Sequence, residues 1–185
     1  MPMYLRRALP IGTISGHAQP TLTGDGLSLR PWSMDDVRVI EAAYADPGIA
    51  RWHAPVLAEG WLRLRDARWQ LEAGADWAVE LGGEVVGRVG VHHLDLVNAV
   101  GEVGFWVLPD HRGGRVASRA VGLLVGWATE LGFHRLELRH SVDNPASCHV
   151  AEACGFGFEG VARSSILHDD GWHDMHVHAR VTGDA

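Results

Sequence analysis

The first half of the chain combines strand-like alternation with helical spacing of apolar residues. Residues 27–32, LSLRPW, alternate apolar and polar positions and predict a strand. Ser33, with Asp36 three residues later, is typical of a helix start, so we predict a helix over 34–45. Residues 58–74 predict a second helix, because their apolar side chains recur at helical spacing. These apolar positions are Trp61, Leu64, Ala67 and Leu71.

The second half begins with strand patterns and then alternates strands with helices. Residues 76–81 and 84–96 flank a Gly82-Gly83 turn and predict a hairpin. Further strands are predicted at 99–108, 135–142, 156–163 and 175–181, and helices at 116–131 and 145–155. With no internal repeat and no linker, this order predicts a single α+β (mixed α/β) domain.

The first 24 residues show no sustained periodicity. Pro10, Gly12 and Gly16 interrupt the few apolar residues there, so the segment does not fit the apolar core of a signal peptide. We expect residues 1–24 to form a flexible N-terminal extension and residues 25–182 to form the domain.

Composition narrows the class of protein. The 185 residues are 46% hydrophobic and 21% charged, which is typical of a soluble globular protein. No run approaches the roughly 20 apolar residues of a membrane span, so we predict a cytoplasmic protein with no membrane partner. A net charge of −7 argues against nucleic acid as a partner and fits a cationic or amine-bearing partner better.

The two cysteines and the C-terminal histidines are the candidate metal ligands. Cys148 and Cys154 lie six residues apart on a predicted helix, on different faces, so we expect neither a disulfide nor a zinc site from them. His176 and His178 share one face of a predicted strand, with His173 nearby, and could offer ligands together. No acidic or cysteine ligand stands at a recognised spacing to them, so we predict no metal.

The stretch PDHRGGRVAS, residues 109–118, joins a predicted strand to a predicted helix. A helix N-terminus presents unpaired N–H groups, and glycine lets the backbone approach an anion closely. Residues 113–117 therefore favour a phosphate or pyrophosphate site, to which two arginines add charge. The pattern has neither the Gly-Lys-Ser/Thr of a P-loop nor the spacing of a dinucleotide fingerprint. A flexible basic loop without a ligand is the alternative.

Four ordered motifs together resemble the GCN5-related N-acetyltransferase (GNAT) family, most strongly its branch that acetylates the N-termini of ribosomal proteins. The motifs are EVGFWVLPDHRGGRVASRAV, DNPASCHVAEACGF, FEGVAR and DGWHDMHVHARV, and the resemblance extends over residues 27–181. It implies a twisted, mostly antiparallel sheet of about seven strands, with splayed central strands and flanking helices. It also implies acetyl-coenzyme A (acetyl-CoA) as cosubstrate, held by its pyrophosphate at the glycine-rich turn.

The resemblance assigns the contacts with acetyl-CoA. Backbone N–H groups of the splayed strand would polarise the thioester carbonyl, and the loop and helix start would hold the pyrophosphate. The residues so assigned are Phe105, Trp106, Val107, Leu108, Arg112, Gly113, Gly114, Arg115, Val116, Ala117, Ser118, Asn144 and Ser147. Arg115 stands where the family has glycine, so a need for positive φ at this position would weaken binding. We expect binding to survive, with Arg115 adding a phosphate contact.

The implied reaction is direct transfer of the acetyl group from the thioester to a primary amine, without a covalent enzyme intermediate. Many members use a tyrosine as the acid, but Ala151 stands at that position, and the serine of the branch corresponds to Ser147, which we assign as the acid. Asn144 would anchor the pantetheine arm, although Asn144 and Ser147 also suit helix capping. Glu102 is the candidate base, directly or through water, and an ordinary exposed strand residue is the alternative.

The acceptor groove is expected between the N-terminal helices and the last hairpin. Trp52, His53, His92 and Trp172 are its candidate residues, either as a wall for a peptide or small amine or as packing residues. No pattern chooses between a protein N-terminus and a small amine, and none supports a homodimer. The alternative function is a catalytically degenerate fold that binds coenzyme A or acts as an interaction module, because the loop glycine is displaced and the tyrosine is missing.

Overall fold

The computed structural model describes residues 7–183, which form an open sheet of eight strands and five α-helices. The strands are β1 (Leu22–Gly24), β2 (Leu27–Pro31), β3 (Gly74–Leu81), β4 (Glu84–Asp95), β5 (Val100–Val107), β6 (Arg135–Ser141), β7 (Gly157–His168) and β8 (Gly171–Val181). The helices are α1 (Val37–Ala45), α2 (Pro47–Ala50), α3 (Ala58–Gln70), α4 (Val116–Leu131) and α5 (Pro145–Ala153). No helix within residues 7–183 has the length and apolar character needed to cross a membrane.

The strand order is β1-β2-β3-β4-β5-β6-β8-β7, and β5 with β6 is the parallel pair among antiparallel neighbours. Helix α4 makes the crossover that a parallel pair requires. The predicted α+β fold with a mostly antiparallel sheet is therefore confirmed. The sheet has eight strands rather than about seven, since β1 pairs with β2 through a tight turn. Asp25 and Gly26 form this turn with φ of 50° and 73°.

The N-terminal segment packs against the sheet, which differs from the expected flexible extension. Leu9 and Ile14 are buried, at 4% and 1% exposure. The carboxylate of Glu72 accepts hydrogen bonds from the backbone N–H of Gly12 and Ile14, at 3.0 and 2.7 Å. The indole of Trp69 donates to the carbonyl of His17 at 2.9 Å. Residues 9–17 therefore belong to the packed fold, because they cover the part of the core that contains Trp69.

The two faces of the sheet carry separate apolar clusters. Helix α4 covers one face, where Trp77 and Trp127 meet edge to face with ring centroids 4.8 Å apart. Helices α1 to α3 cover the other face, where Ile40 and Trp106 belong to a smaller cluster. Side chains of β4 and β5 alternate between these clusters, as a strand with both faces covered requires.

The C-terminal hairpin is longer than the sequence pattern predicted. Strand β7 runs to His168 and β8 begins at Gly171, so only a two-residue turn separates them. Two register shifts interrupt the pairing, which hides the apolar alternation of β7. The short helix α2 was not predicted, and Asp46 caps it by accepting the N–H of Ile49 at 3.0 Å. Both features border the cleft described next.

Candidate active site

Strands β5 and β6 separate and open a cleft in the middle of the sheet. Their parallel pairing is limited to residues 100–102 of β5 and 135–137 of β6. Beyond these residues the strands diverge, and residues 103–107 and 138–141 line a cleft of about 910 Å³. The start of α4 and the exposed side of α5 close the cleft on either side. The splayed central strands are thus present in the structure.

The cleft edge of β5 offers backbone donors at alternate residues. The N–H of Leu108 donates to the carbonyl of Val86 at 2.9 Å, so Leu108 is bonded to β4. Because hydrogen-bonding direction alternates along an antiparallel ladder, Trp106 also faces β4. The N–H groups of Phe105 and Val107 point toward the cleft instead. The predicted contribution of backbone N–H groups from Trp106 and Leu108 is therefore wrong, since β4 already uses those groups.

The loop before α4 is held by Arg112. Its guanidinium donates to the carbonyl of Val107 at 3.0 Å and to the Asp46 carboxylate at 2.9 Å. These contacts tie the loop to the end of β5 and to the cap of α2. Gly113 follows with φ of 84°, a value that glycine adopts without strain. Arg112 therefore positions the loop, and these two partners use two of its five N–H donors.

Arg115 adopts the left-handed conformation at the N-cap of α4, with φ of 55° and ψ of 21°. The loop thus has positive φ at the position where the family has glycine. The Arg115 carbonyl accepts hydrogen bonds from the N–H of Arg119 and the hydroxyl of Ser118, at 3.0 and 3.1 Å. The N–H groups of residues 116–118 precede the first helical hydrogen bond, and these residues line the cleft. A helix start of this kind is suited to an anion, and the exposed Arg115 lies beside it.

Helix α5 presents the Asn144 and Ser147 pair at the cleft wall. The Asn144 side-chain oxygen accepts the N–H of Ser147 at 3.2 Å, so Asn144 caps the helix as the alternative interpretation required. Its amide nitrogen is left to donate to a ligand. The hydroxyl of Ser147 lines the cleft and takes no part in the cap. Capping thus accounts for the Asn144 oxygen but not for the Ser147 hydroxyl.

Glu102 lies between two histidines beside the cleft. Its carboxylate oxygens are 3.7 Å from Nε2 of His92 and 3.1 Å from Nδ1 of His93. Burial raises the pKa of Glu102, but contacts with His92 and His93 outweigh it and lower the pKa to about 2. Nδ1 of His92 is buried without a hydrogen-bond partner in the described structure. The His92 ring lies over Gly104, since a Cβ there would be 2.8 Å from its Cε1.

His53 and Trp52 follow α2 and line the same cleft. Burial, with the nearby charge of Arg88, lowers the pKa of His53 to about 4, so this imidazole is neutral at pH 7. The Trp52 ring packs edge to face against His168 and His173, with centroids 5.7 and 6.1 Å away. These contacts place the end of α2 against the C-terminal hairpin.

Trp172 does not join the predicted aromatic wall. It is 65% exposed on β8 and does not line the cleft, whereas His168 lines it next to Trp52. His173 is held at both ring nitrogens, since Nδ1 lies 2.8 Å from the Ser141 hydroxyl and Nε2 lies 2.7 Å from the Asp170 carboxylate. His168 was not predicted as a cleft residue, because β7 has two register shifts and extends beyond the predicted end of the strand.

A buried charge network between α3, β3 and β4 was also not predicted from the sequence. The Asp76 side chain is 1% exposed and pairs with both Arg65 and Arg88. Arg65 also stacks over the Trp61 ring, with its guanidinium carbon 3.9 Å from the centroid. Burial alone would raise the pKa of Asp76, but the two guanidiniums outweigh this effect and hold the pKa below its ordinary range. The network fixes α3 to β3 and β4, and no single-strand pattern identifies it.

The cleft between splayed parallel strands, ending at a helix N-terminus, is the geometry that the motif resemblance implied. The sequence profile of the Acetyltransferase (GNAT) domain matches residues 27–157, well over half of the chain. The chain therefore belongs to the GNAT acetyltransferase family, and the resemblance inferred from the motifs is confirmed.

Among its relatives is the ribosomal-protein-serine acetyltransferase of Escherichia coli (strain K12), which is 28% identical over 99 residues. That match spans 53% of this chain and 55% of the relative. The N-acetyltransferase YoaA of Bacillus subtilis (strain 168) is 26% identical over 171 residues, 88% of this chain and 97% of the relative. The structure of Mycobacterium smegmatis RimJ in complex with CoA-disulfide shares the fold, with a TM-score of 0.79 and 22% identity. That likeness covers 88% of this chain and 86% of the other.

Proposed function

We propose that this chain transfers an acetyl group from acetyl-CoA directly to a primary amine, in the cytoplasm. The observation that carries the proposal is the β5–β6 cleft, which leads from free strand N–H groups to the anion site at the start of α4. A pantetheine arm is an extended chain of amides and fits an unpaired strand edge. The pyrophosphate matches the unpaired N–H groups of residues 116–118.

The free N–H groups of Phe105 and Val107 are the candidate donors to the thioester carbonyl. Negative charge develops on that oxygen as the amine nitrogen attacks the carbonyl carbon. Fixed backbone donors cost no reorganisation at that moment, because β4 holds the strand from its other edge. Asn144 would use its free amide nitrogen to bind a pantetheine carbonyl.

The attacking amine must lose a proton, since a protein α-amino group has a pKa of about 8. A carboxylate with a pKa of about 2 is a weak proton acceptor at neutral pH, so Glu102 is unsuited to act alone. We assign His92 as the base, with Glu102 orienting the ring and stabilising the imidazolium. Nδ1 of His92 is the unpartnered nitrogen of this ring, and it is buried beside Gly104, which lines the cleft, so the ring must turn toward the cleft to take the proton.

Collapse of the tetrahedral intermediate breaks the carbon–sulfur bond and leaves the thiolate of coenzyme A. Ser147 is the candidate donor of the proton that this thiolate takes up, because its hydroxyl lines the cleft and is not used in the helix cap. Solvent would then restore the serine proton and remove the proton from His92. No covalent enzyme intermediate is required, and burial raises the pKa of Cys154 to about 11, which disfavours it as a nucleophile.

A protein N-terminus is the acceptor class that the relatives favour, because one of them is named a ribosomal-protein-serine acetyltransferase. Trp52, His53 and His168 at the cleft would contact the first residues of such a peptide. The net charge of −7 is compatible with a cationic acceptor.

The test combines binding with turnover. Acetyl-CoA at about a hundred times its Kd should add about 2.7 kcal/mol of stability in a thermal melt, and ATP is the control. Peptides beginning with Ser, Ala or Met, and free amino acids, are then assayed for acetylation by mass spectrometry and for released thiol. Turnover of any amine supports the proposal. A melting shift without turnover favours the degenerate coenzyme-binding module, and no shift at millimolar acetyl-CoA contradicts both.

A matched pair of variants tests the base. His92→Gln should lower kcat, whereas His93→Gln, on the exposed side of Glu102, should retain it. Equal effects of the two changes would contradict His92 as the base.

A further inference from the structure

Three histidines and one cysteine lie close together beside the cleft, on strands β6 and β8 and helix α5. His140 lies at the end of β6, His176 and His178 lie on β8, and Cys148 lies on α5. One ligand atom from each of these side chains lies within 4.8 Å of all the others. His140 and His178 are buried, and His176 and Cys148 are half-buried. His140 also lines the proposed acetyl-CoA cleft, but the proposed reaction gives no role to these four side chains, which we call the histidine–cysteine cluster.

The spacing of the cluster matches a tetrahedral metal centre. Nitrogens bound to zinc at about 2.0–2.1 Å lie about 3.3–3.4 Å apart, and a nitrogen and a thiolate sulfur lie about 3.6 Å apart. The Nε2 atoms of His140 and His178 are 3.3 Å apart, and Sγ of Cys148 is 3.9 Å from Nε2 of His178. The two closest pairs of ligand atoms are therefore within about 0.3 Å of metal-bound separations.

The orientation of His140 is also that of a metal ligand. Its Nδ1 lies 2.8 Å from the carbonyl oxygen of Ser141, which can only accept, so Nδ1 carries the proton. The Nε2 lone pair is then directed at His178 and the centre of the cluster. A backbone carbonyl that fixes the tautomer in this way is the usual outer-shell partner of a metal-bound imidazole.

Two further atoms of the cluster are polar, buried and unsatisfied. Nδ1 of His176 and Nδ1 of His178 have no hydrogen-bond partner within residues 7–183. Phe158 packs edge to face on both rings, at 5.1 and 5.4 Å between centroids, and shields them on one side. Because His178 presents Nε2 to the cluster, its Nδ1 is not the atom that a metal would bind, and the unsatisfied Nδ1 of His176 is the one available as a ligand atom. A buried nitrogen without a partner costs stability unless a ligand compensates for the lost hydration.

We propose that the histidine–cysteine cluster binds one divalent transition-metal ion, with Zn²⁺ as the preferred ion. Three imidazoles and one thiolate form a nitrogen and sulfur donor set suited to zinc, and four protein ligands leave no open coordination position. The site is therefore structural, and it links α5 to β6 and β8. Zinc would replace the thiol proton of Cys148. Sequence analysis predicted no metal, because the sheet, not the sequence spacing, brings His140 and Cys148 to the C-terminal histidines.

The experiment uses the full chain without a polyhistidine tag, stripped with a chelator and titrated with Co²⁺ and then Zn²⁺. We expect one Co²⁺ per chain, visible bands of tetrahedral intensity and a thiolate-to-cobalt charge-transfer band in the near ultraviolet. Zn²⁺ should abolish these bands by displacement and raise the melting temperature. Absence of tetrahedral bands, or of the thiolate band, in the unmodified protein would overturn the proposal.

Variants locate the site independently of any activity. Cys148→Ser should remove the thiolate band and weaken Zn²⁺ binding at least about 100-fold. Loss of an outer-shell partner weakens metal binding about 10- to 100-fold, so a larger effect indicates a direct ligand. His176→Ala, at a half-buried position, should weaken it similarly while the chain stays folded, as circular dichroism checks. Cys154→Ser and His134→Ala are the matched controls and should bind like the unmodified chain. Loss of binding in either control, or retention in Cys148→Ser, would place the metal elsewhere and contradict the proposal.

Discussion

Arg115 holds a backbone conformation that glycine adopts without strain, so Arg115→Gly should stabilise the protein free of ligand. The left-handed conformation at φ of 55° costs a residue with a side chain about 1–2 kcal/mol. Glycine loses more freedom on folding, which offsets about 0.5–1 kcal/mol of this gain. The Arg115 side chain forms no hydrogen bond or ion pair with residues 7–183, so little else is lost. The net gain of about 0.5–1 kcal/mol should raise Tm by about 1–4 °C.

The same change should weaken binding of acetyl-CoA. A guanidinium hydrogen-bonded to phosphate is worth about 1.5–3 kcal/mol, so its loss should raise the Kd about 10- to 150-fold. Calorimetric titration at two salt concentrations measures the effect, and the variant should show the smaller salt dependence. The variant would thus melt at a higher temperature alone but bind its ligand less tightly.

Two control substitutions separate backbone strain from charge at this position. Arg115→Lys keeps the charge and the strain, so its Tm should be unchanged. Arg115→Asn removes the charge but tolerates the left-handed region, so its Tm should rise while binding weakens. An Arg115→Gly variant that melted at or below the temperature of the parent would refute the strain argument. Unchanged affinity with unchanged salt dependence would refute the phosphate contact.

Three further predictions concern the core, the paired carboxylate and the acid. Asp76→Ala leaves Arg65 and Arg88 buried without their partner, and should cost about 3–5 kcal/mol, measured by urea unfolding. The pKa of Glu102 is depressed from 4.5 to about 2, so its carboxylate stabilises the fold above pH 4.5 and this contribution is lost as the pH falls toward 2. Glu102→Gln should flatten that part of the stability profile, and an unchanged profile would contradict the pairing. Ser147→Ala should lower kcat about 100-fold with little change in the KM for acetyl-CoA, and an unchanged kcat would exclude Ser147 as the acid.

The elements that sequence analysis predicted well are those with a sustained period and clear end signals. Helix α4 spans Val116–Leu131, which are the first and last residues of its predicted apolar face, and that face was predictable because its residues recur at helical spacing. The β3–β4 hairpin followed equally from alternation around Gly82-Gly83. The helix start at residues 116–118 was also predictable, because it depends on local residues at one strand-to-helix junction.

The features that were missed depend on contacts between distant parts of the chain. Residues 9–17 lack local periodicity, and only their contacts with Glu72 and Trp69 order them. Trp172 was assigned to the acceptor wall because the sequence does not reveal the register shifts of β7, the strand that pairs with β8. The use of the Leu108 N–H by β4 likewise follows from register, which composition and spacing do not specify.

Helix α5 shows how one short element serves two proposed sites. Successive helical residues are rotated by about 100°, so Ser147 faces the cleft while Cys148 faces the histidines of β8. The Asn144 cap uses the backbone N–H of Ser147, so neither side chain is needed to start the helix. The two proposals are therefore separable by single substitutions. Ser147→Ala should lose turnover yet keep the cobalt–thiolate band, and simultaneous loss of both would mean that the two sites are not distinct.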